Sequence, residues 1–300
     1  MKNFQTIDEK TTTIFTIGKL LEDGNKILKD HKIDTYSLDT QLLLGHVLNK
    51  DRIWIITNRS KEIDIENKNK FYQLLNKRKE KMPIKYILEE CEFMSLNFYV
   101  KSGVLIPRGD TEVLVEEVLS RIDDGDDLKI CDLCCGSGAI GLSLAHYKKN
   151  IQVDLIDIDD IPKEVTNINI KNLTLEQRTN FIQSDLLNVV IEENKKYDIL
   201  VSNPPYIRED VIPTLMNDVK DYEPKLALVG GKDGLDFYRK IIKQSLRVLN
   251  NNGILAFEIG YDQGEDVKKL MIESNFESLK IIKDLAGLDR VVIGNLIEKK

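Results

Sequence analysis

From Leu128 onward the chain keeps one rhythm: a short apolar run, a tight turn, then a helical segment. Nothing else in the sequence restricts the fold as strongly. Residues 129–133 read as a strand, Cys134-Cys135-Gly136-Ser137-Gly138 as a turn and residues 139–145 as a helix. Further strands are expected at 151–156, around Phe181-Ile182 and at 197–202; no element is assigned between Asp157 and Phe181. A helix over 234–249, a strand over 253–259, a helix over 262–274 and strands near 276–283 and 290–295 complete the series. Short apolar runs bounded by turn residues suit strands buried on both faces. Their alternation with helices implies an α/β fold, a mostly parallel sheet with helices on both sides.

The N-terminal part follows another period. Residues 1–13 read as frayed. Ile14, Ile17, Leu20, Leu21, Ile27 and Leu28 recur at helical spacing. Ser37 reads as the N-cap of a second helix carrying Leu38, Leu42, Leu43, Val47 and Leu48. A third helix is expected over about 66–81, ending before Pro83. These form a small helical domain, residues 1–85. Its stretch 61–85 holds eight Lys or Arg against four Asp or Glu, read as a solvated face. Between 86 and 107 the apolar residues Phe93, Leu96, Phe98, Val100, Val104 and Ile106 alternate, which suggests a β-hairpin linker. Ile106-Pro107-Arg108-Gly109-Asp110-Thr111-Glu112 then feeds a helix over about 111–121, and residues 108–300 form the larger domain.

At 300 residues, with 42% hydrophobic and 31% charged, the composition is that of a soluble globular chain. A net charge of −7 argues against wide contact with a phosphate backbone. Cys131, Cys134 and Cys135 crowd together while Cys91 stands alone, which fits neither a disulfide framework nor a zinc site. They read as small buried residues in a reducing compartment, and no metal is expected. The absence of a bilayer-length apolar run and of an apolar leader makes the expected location the cytoplasm.

The chemistry is expected at Ile199-Leu200-Val201-Ser202-Asn203-Pro204-Pro205-Tyr206, a buried strand stopped by two prolines. Asn203 offers a side-chain oxygen, Pro204 a free carbonyl and Tyr206 a flat ring, a set suited to a planar –NH2 group. Alone, the four residues read equally well as a turn. In parallel sheets, ligands bind beyond the carboxyl ends of strands, where strand order reverses. Asp132, Gly136, Gly138, Asp157, Asp185 and Asn203 all fall at such ends. Gly136-Ser137-Gly138-Ala139-Ile140-Gly141 also fits a dinucleotide turn, a weak signal alone. Asp157, some 20 residues on, suits a ribose, and Asp185 suits an adenine amino group. With Asp132 before the glycines, the set favours a cofactor carrying a positive centre, as S-adenosylmethionine does, over a pyrophosphate.

Over nearly its whole length the chain resembles the bacterial protein-glutamine N5-methyltransferases, most closely those acting on peptide chain release factors. The resemblance rests on Tyr86-Ile87-Leu88, Glu92-Phe93, Ile106-Pro107-Arg108 with Thr111-Glu112, the glycine turn and Asn203-Pro204-Pro205-Tyr206. It extends through Glu223-Pro224, Gly230-Gly231-Lys232-Asp233-Gly234-Leu235, Tyr238-Arg239, Phe257-Glu258-Ile259-Gly260 and Asp284-Leu285-Ala286-Gly287. Glu89 and Ser95 stand where that family usually has glycine, Gly109-Asp110 replaces Pro-Glu, and Cys134-Cys135 replaces a Gly/Cys-Thr pair. The resemblance implies a Rossmann-like, seven-stranded class I methyltransferase domain using S-adenosylmethionine. It places the cofactor against Cys134, Cys135, Gly136, Ser137, Gly138, Asp157, Asp185, Leu186, Asn203, Arg108 and Thr111. The substrate would be the glutamine of a Gly-Gly-Gln loop, held by Asn203, Pro204, Pro205 and Tyr206, with the helical domain docking the release factor. The two substrate N–H bonds would point to Asn203 and Pro204, and no general base is required. The enzyme is expected to act as a monomer, without nucleic acid or membrane. A ribosomal-protein glutamine methyltransferase, an adenine-N6 methyltransferase and a non-enzymatic adenosine binder are the competing readings.

Overall fold

The computed structural model describes residues 15–297 and divides into two units, Met1–Leu88 and Glu89–Lys300. The expectation for residues 1–13, and the position of Ile14, lie outside the described residues.

In the first unit, β1 (Phe15–Thr16) pairs antiparallel with β2 (Glu62–Ile63). Five helices follow the chain: α1 (Ile17–Asp30), α2 (Tyr36–Leu48), α3 (Arg52–Thr57), α4 (Ile65–Lys79) and α5 (Ile84–Leu88). The apolar stripe of α1, with Leu20, Leu21 and Leu28, packs on Leu43, Leu44, Ile55, Phe71 and Leu75. A Cβ on Gly24 would stand 2.6 Å from Thr40 Cγ2, so glycine lets α1 approach α2.

Three expectations need correction here. Ser37 lies inside α2; the cap position is Thr35, whose hydroxyl donates to Asp39 at 2.7 Å instead of capping the backbone. Helices α3 and α5 were not expected. They are short, and α3 begins on Asp51, whose carboxylate accepts the Trp54 N–H at 2.7 Å. The basic stretch is not wholly a solvated face, because Arg78 is buried and pairs with Asp39 at 2.7 Å.

The second unit opens with a hairpin of β3 (Glu90–Phe93) and β4 (Leu96–Tyr99). Phe93 and Phe98 from its inner face are fully buried and meet edge to face at 6.1 Å. Val104 and Ile106, expected in the same alternation, are buried but lie in the following loop. A 3-10 turn, Gly109–Thr111, precedes α6 (Glu112–Leu119).

Then come β5 (Lys129–Leu133), α7 (Ala139–Tyr147), β6 (Gln152–Asp157), α8 (Asp160–Asn172), β7 (Thr179–Gln183), α9 (Asn188–Glu192) and β8 (Tyr197–Ser202). The chain finishes with α10 (Asn217–Lys220), α11 (Asp236–Val248), β9 (Leu249–Glu258), α12 (Gly264–Glu273), β10 (Phe276–Lys283) and β11 (Asp289–Leu296). Strand order is β10-β11-β9-β8-β5-β6-β7. The pairs among β9, β8, β5, β6 and β7 are parallel, and β11 is antiparallel to both its neighbours. The fold is the seven-stranded, mostly parallel α/β sheet that was expected.

One apolar cluster covers one face with Leu114, Val118, Leu142 and Leu144 from α6 and α7. Another covers the other face with Val190, Ile241, Ile242 and Met271 from α9, α11 and α12. Strand β9 starts at Leu249, earlier than read, because Asn252 takes a left-handed φ of 60° and lets pairing resume after a register shift. The chain builds β5, β6 and β7 outward and then returns to place β8 on the other side of β5. Strand order reverses between β5 and β8, which is where a ligand crevice forms.

Candidate active site

Each wall of the crevice begins at the tip of β5 or β8. Leu133 and Ser202 are register partners, and the Ser202 hydroxyl donates to the Leu133 carbonyl at 2.7 Å. After β5 the backbone turns through Cys134 (φ 60°), Gly136 (φ 56°) and Gly138 (φ 79°). Nothing lies within 4 Å of where a Cβ on Gly136 would stand, so the turn leaves an open berth beside its backbone. The turn is pinned from below: the Thr166 hydroxyl donates to the Gly136 carbonyl at 3.0 Å, and Asn169 Nδ2 donates to the Ser137 carbonyl at 2.9 Å.

Asp157 stands at the tip of β6. Its two oxygens accept from Gly136 N–H and Ile158 N–H, each at 2.8 Å. Both bonds fix the carboxylate plane, and each oxygen keeps a lone pair for a ligand hydroxyl. Burial pushes this carboxyl above the usual range, while the two N–H donors pull it down.

A cavity of about 180 Å³ follows these tips. Cys134, Gly136, Asp157, Asp185, Leu186 and Asn203 line it together, so six of the residues expected around the cofactor share one space. Ile156, Ile158 and Leu186 give it apolar surface; Asp157, Asp159 and Asp185 outnumber the one cation on its wall, Lys240. The open glycine berth, the two-oxygen acceptor and the acidic, half-apolar wall fit a cationic adenosine compound.

The remaining expected contacts are placed elsewhere. Cys135 is buried with its Sγ 3.8 Å from the Thr166 hydroxyl, Ser137 is buried, and Gly138 precedes the first turn of α7. Asp132 lies fully buried under the turn, where Oδ2 accepts the Gly141 N–H at 2.8 Å and Oδ1 has no partner. Burial pushes its carboxyl up to about 7. Arg108 and Thr111 do not line the cavity either. Arg108 forms an ion pair with Glu223, and Thr111 is buried.

A second, smaller cavity of about 100 Å³ lies on their side, with Arg108, Asn203, Tyr206, Ile207 and Glu258 in its wall. Leu105, Asn203 and Ala227 face both spaces. Pro204 and Pro205 are buried, while Asn203 and Tyr206 are half-exposed.

Close backbone packing keeps this turn in place. Ile207 N–H donates to Leu228, Gly230 N–H to Ile207, and Gln263 Nε2 to the Tyr206 carbonyl at 3.0 Å. A Cβ on Gly230 would come 2.7 Å from Tyr206 Cα, and one on Gly234 would come 2.4 Å from the Tyr206 carbonyl oxygen. The Gly230-Gly231-Lys232-Asp233-Gly234-Leu235 run therefore serves as the seat of the Asn-Pro-Pro-Tyr turn.

Sequence reasoning missed Glu258. It appeared only inside a matched motif, although one acidic residue at the end of the apolar run Ile254-Leu255-Ala256-Phe257 was a signal. Glu258 is 2% exposed, accepts the Tyr206 hydroxyl on Oε1 at 3.3 Å, and is pushed up by burial to about 7.

Residues 19–88 match the family described as the PrmC N-terminal domain, and residues 108–218 match the methyltransferase small domain. The chain is 54% identical over 91% of its length to the release factor glutamine methyltransferase of Clostridium botulinum, of which 96% is covered. It is 41% identical to that of Fusobacterium nucleatum, with 95% of this chain and 87% of the relative covered. Among solved structures, the Thermus thermophilus 16S rRNA N2 G1207 methyltransferase in complex with AdoMet and guanosine superposes with a TM-score of 0.50 at 16% identity. That likeness covers 69% of this chain and 49% of the other, and it shows the fold alone.

Proposed function

The chain belongs to the release factor glutamine methyltransferase family, and on that premise we propose how the two cavities that meet at Asn203 divide the work. The enzyme transfers a methyl group from S-adenosylmethionine to the side-chain amide nitrogen of a release-factor glutamine. The larger cavity is the cofactor site: Asp157 takes the ribose hydroxyls, Asp185 faces the adenine, and Leu186 and Ile158 flank the purine. The smaller cavity takes the glutamine side chain of a Gly-Gly-Gln loop. One observation carries this division: Asn203 stands in the wall of both spaces.

When bound, S-adenosylmethionine supplies an electrophilic methyl on a sulfonium. The amide nitrogen is the harder partner, because its lone pair is delocalised into the carbonyl. Asn203 Oδ1 and the Pro204 carbonyl accept its two N–H bonds, orient the nitrogen and favour the positive charge that grows on it. Tyr206 packs on the amide plane and excludes water. The nitrogen gains the methyl and sheds one proton, which the methylated amide releases to solvent without a dedicated base. Most of the remaining acceleration comes from alignment, which in ideal intramolecular cases is worth roughly 7–11 kcal/mol. The first unit, on this reading, docks the body of the release factor.

Asn203→Ala is expected to lower kcat by ~100-fold or more while affecting cofactor affinity less. Wild-type turnover by this variant would remove Asn203 from the reaction. The substrate assignment is tested by offering labelled S-adenosylmethionine with release factor, ribosomal protein and DNA, then locating the methyl by peptide mass spectrometry. Methyl on the release-factor glutamine alone is the expected result.

A further inference from the structure

We propose that Glu258 is a substrate-binding residue, whose free Oε2 hydrogen-bonds the carbonyl oxygen of the glutamine carboxamide in the smaller cavity. The inference rests on the reading of that cavity given above. A carboxamide presents two N–H donors and one carbonyl acceptor. On that reading Asn203 and the Pro204 carbonyl take the donors, which leaves the carboxamide oxygen in need of a donor, and Glu258 lines this cavity together with Asn203.

Glu258 ends β9 and is 2% exposed, with Oε1 engaged by Tyr206 and Oε2 buried without a partner. A buried oxygen left unpaired costs stability, and a ligand that completes it recovers that cost. The Tyr206 hydroxyl is already given to Oε1. Arg108, on the same wall, pairs with Glu223 but keeps further N–H groups, so it is the competing donor that the test must separate from Glu258.

To donate, Glu258 must carry its proton, and its surroundings favour this. Burial raises its affinity for the proton and Asp110 adds to the effect; the hydrogen bonds from Thr111 and Tyr206 and the charge of Arg290 oppose it. Arg290 is divided between Asp284 at 3.0 Å and Asp110 at 3.4 Å, and Tyr238 donates only to the Glu258 backbone carbonyl at 2.9 Å. A proton shared with the carbonyl does nothing to free the nitrogen lone pair. Glu258 therefore acts in binding and not in the chemical step.

The test is steady-state kinetics on full-length enzyme with release factor, from pH 6 to 8.5, with cofactor binding followed by calorimetry. Glu258→Ala is expected to raise KM for the release factor ~10-fold, with kcat and cofactor affinity little changed. Wild-type KM is expected to climb as pH rises through about 7. Glu258→Gln, whose amide still donates but cannot ionise, is expected to keep a low KM and lose that climb. An unchanged KM in Glu258→Ala, or a Glu258→Gln profile that follows the wild type, overturns the proposal. Should Glu258→Ala fail to fold, the Glu258→Gln profile decides alone. Arg108 as the donor would give a flat wild-type profile, since a guanidinium does not titrate in this range. A wild-type rate from Asn203→Ala would instead bring down the cavity reading itself.

Discussion

Three departures from the family pattern coincide with strained backbone. Glu89, Ser95 and Cys134 all have positive φ, at 57°, 57° and 60°. An L side chain there costs roughly 1–2 kcal/mol relative to right-handed backbone, and glycine avoids most of it. Met94 and Ser95 are the two central residues of the hairpin turn, both left-handed, which is the two-residue geometry that favours glycine. Ser95 is exposed. Ser95→Gly is therefore expected to raise unfolding stability by about 0.5–1 kcal/mol after glycine's extra chain entropy, seen as a higher urea midpoint at constant m. A lower midpoint would mean that the serine side chain has a role beyond tolerating the turn.

The same scale sets a pH dependence. Asp132 and Glu258 are both pushed up to about 7 by burial. In the unfolded chain each loses its proton near its ordinary value, while the native state holds it until about pH 7. Between those limits the native state binds more protons, so the stability from these groups is full in acid and lost as pH rises toward 7. Asp132→Asn keeps an oxygen for the Gly141 N–H and cannot ionise. It is expected to raise Tm by about 5 °C or more at pH 8 and to leave it unchanged near pH 4. An equal shift at both pH values would show that the carboxyl's charge is not responsible.

At the scale of elements, α8 ties the hairpin to the cofactor turn. Buried Asn169 accepts the Tyr99 N–H at 2.7 Å and donates to the Tyr99 carbonyl at 3.0 Å and the Ser137 carbonyl at 2.9 Å. One side chain of α8 thus holds both β4 and the glycine turn. Asn169→Ala would leave three backbone groups to find water or stay unpaired, at roughly 1–3 kcal/mol for each one buried. The expected outcome is lower Tm together with weaker S-adenosylmethionine binding by calorimetry; lower Tm with unchanged binding would separate α8 from the site.

None of this is legible in the sequence, because the stretch between Asp157 and Phe181 carries no plain strand or helix signal. Its helix starts on Asp160, carries Pro162 in its first turn and has only Ile161, Val165, Ile168 and Ile170 as aliphatic residues between polar ones, so it lacks the dense apolar stripe that marks a helix. The seven sheet strands were legible, β5, β8 and β10 at the bounds observed, though β7 was marked only by Phe181-Ile182 and β9 begins four residues earlier than its apolar run. Buried strands are continuous apolar runs, and their turns are marked by glycine and proline. The site was legible where a residue acts at a strand tip, as Asp157 and Asn203 do. It was hidden where two distant segments meet, as Arg108 with Glu223 and Tyr206 with Glu258 do, because no local pattern encodes such pairs.

Across the whole molecule, the residues lining both cavities run from Gly103 to Glu258, all within the second unit. The first unit has its own apolar core. Cofactor affinity should then be independent of residues 1–88, whereas capture of a release factor, if the first unit docks it, should depend on them heavily. A flexible glutamine loop makes few contacts of its own, and the second contact acts by holding that loop at high effective concentration. Losing such a contact costs about 100-fold or more in apparent affinity. A chain begun at residue 89 is expected to bind S-adenosylmethionine with unchanged affinity, and its KM for full-length release factor should rise by at least that ~100-fold factor. A short peptide carrying only the glutamine loop should be methylated equally by both forms, since it cannot reach the missing unit. Equal KM values for the full-length factor would remove docking from the first unit and leave recognition to the crevice alone.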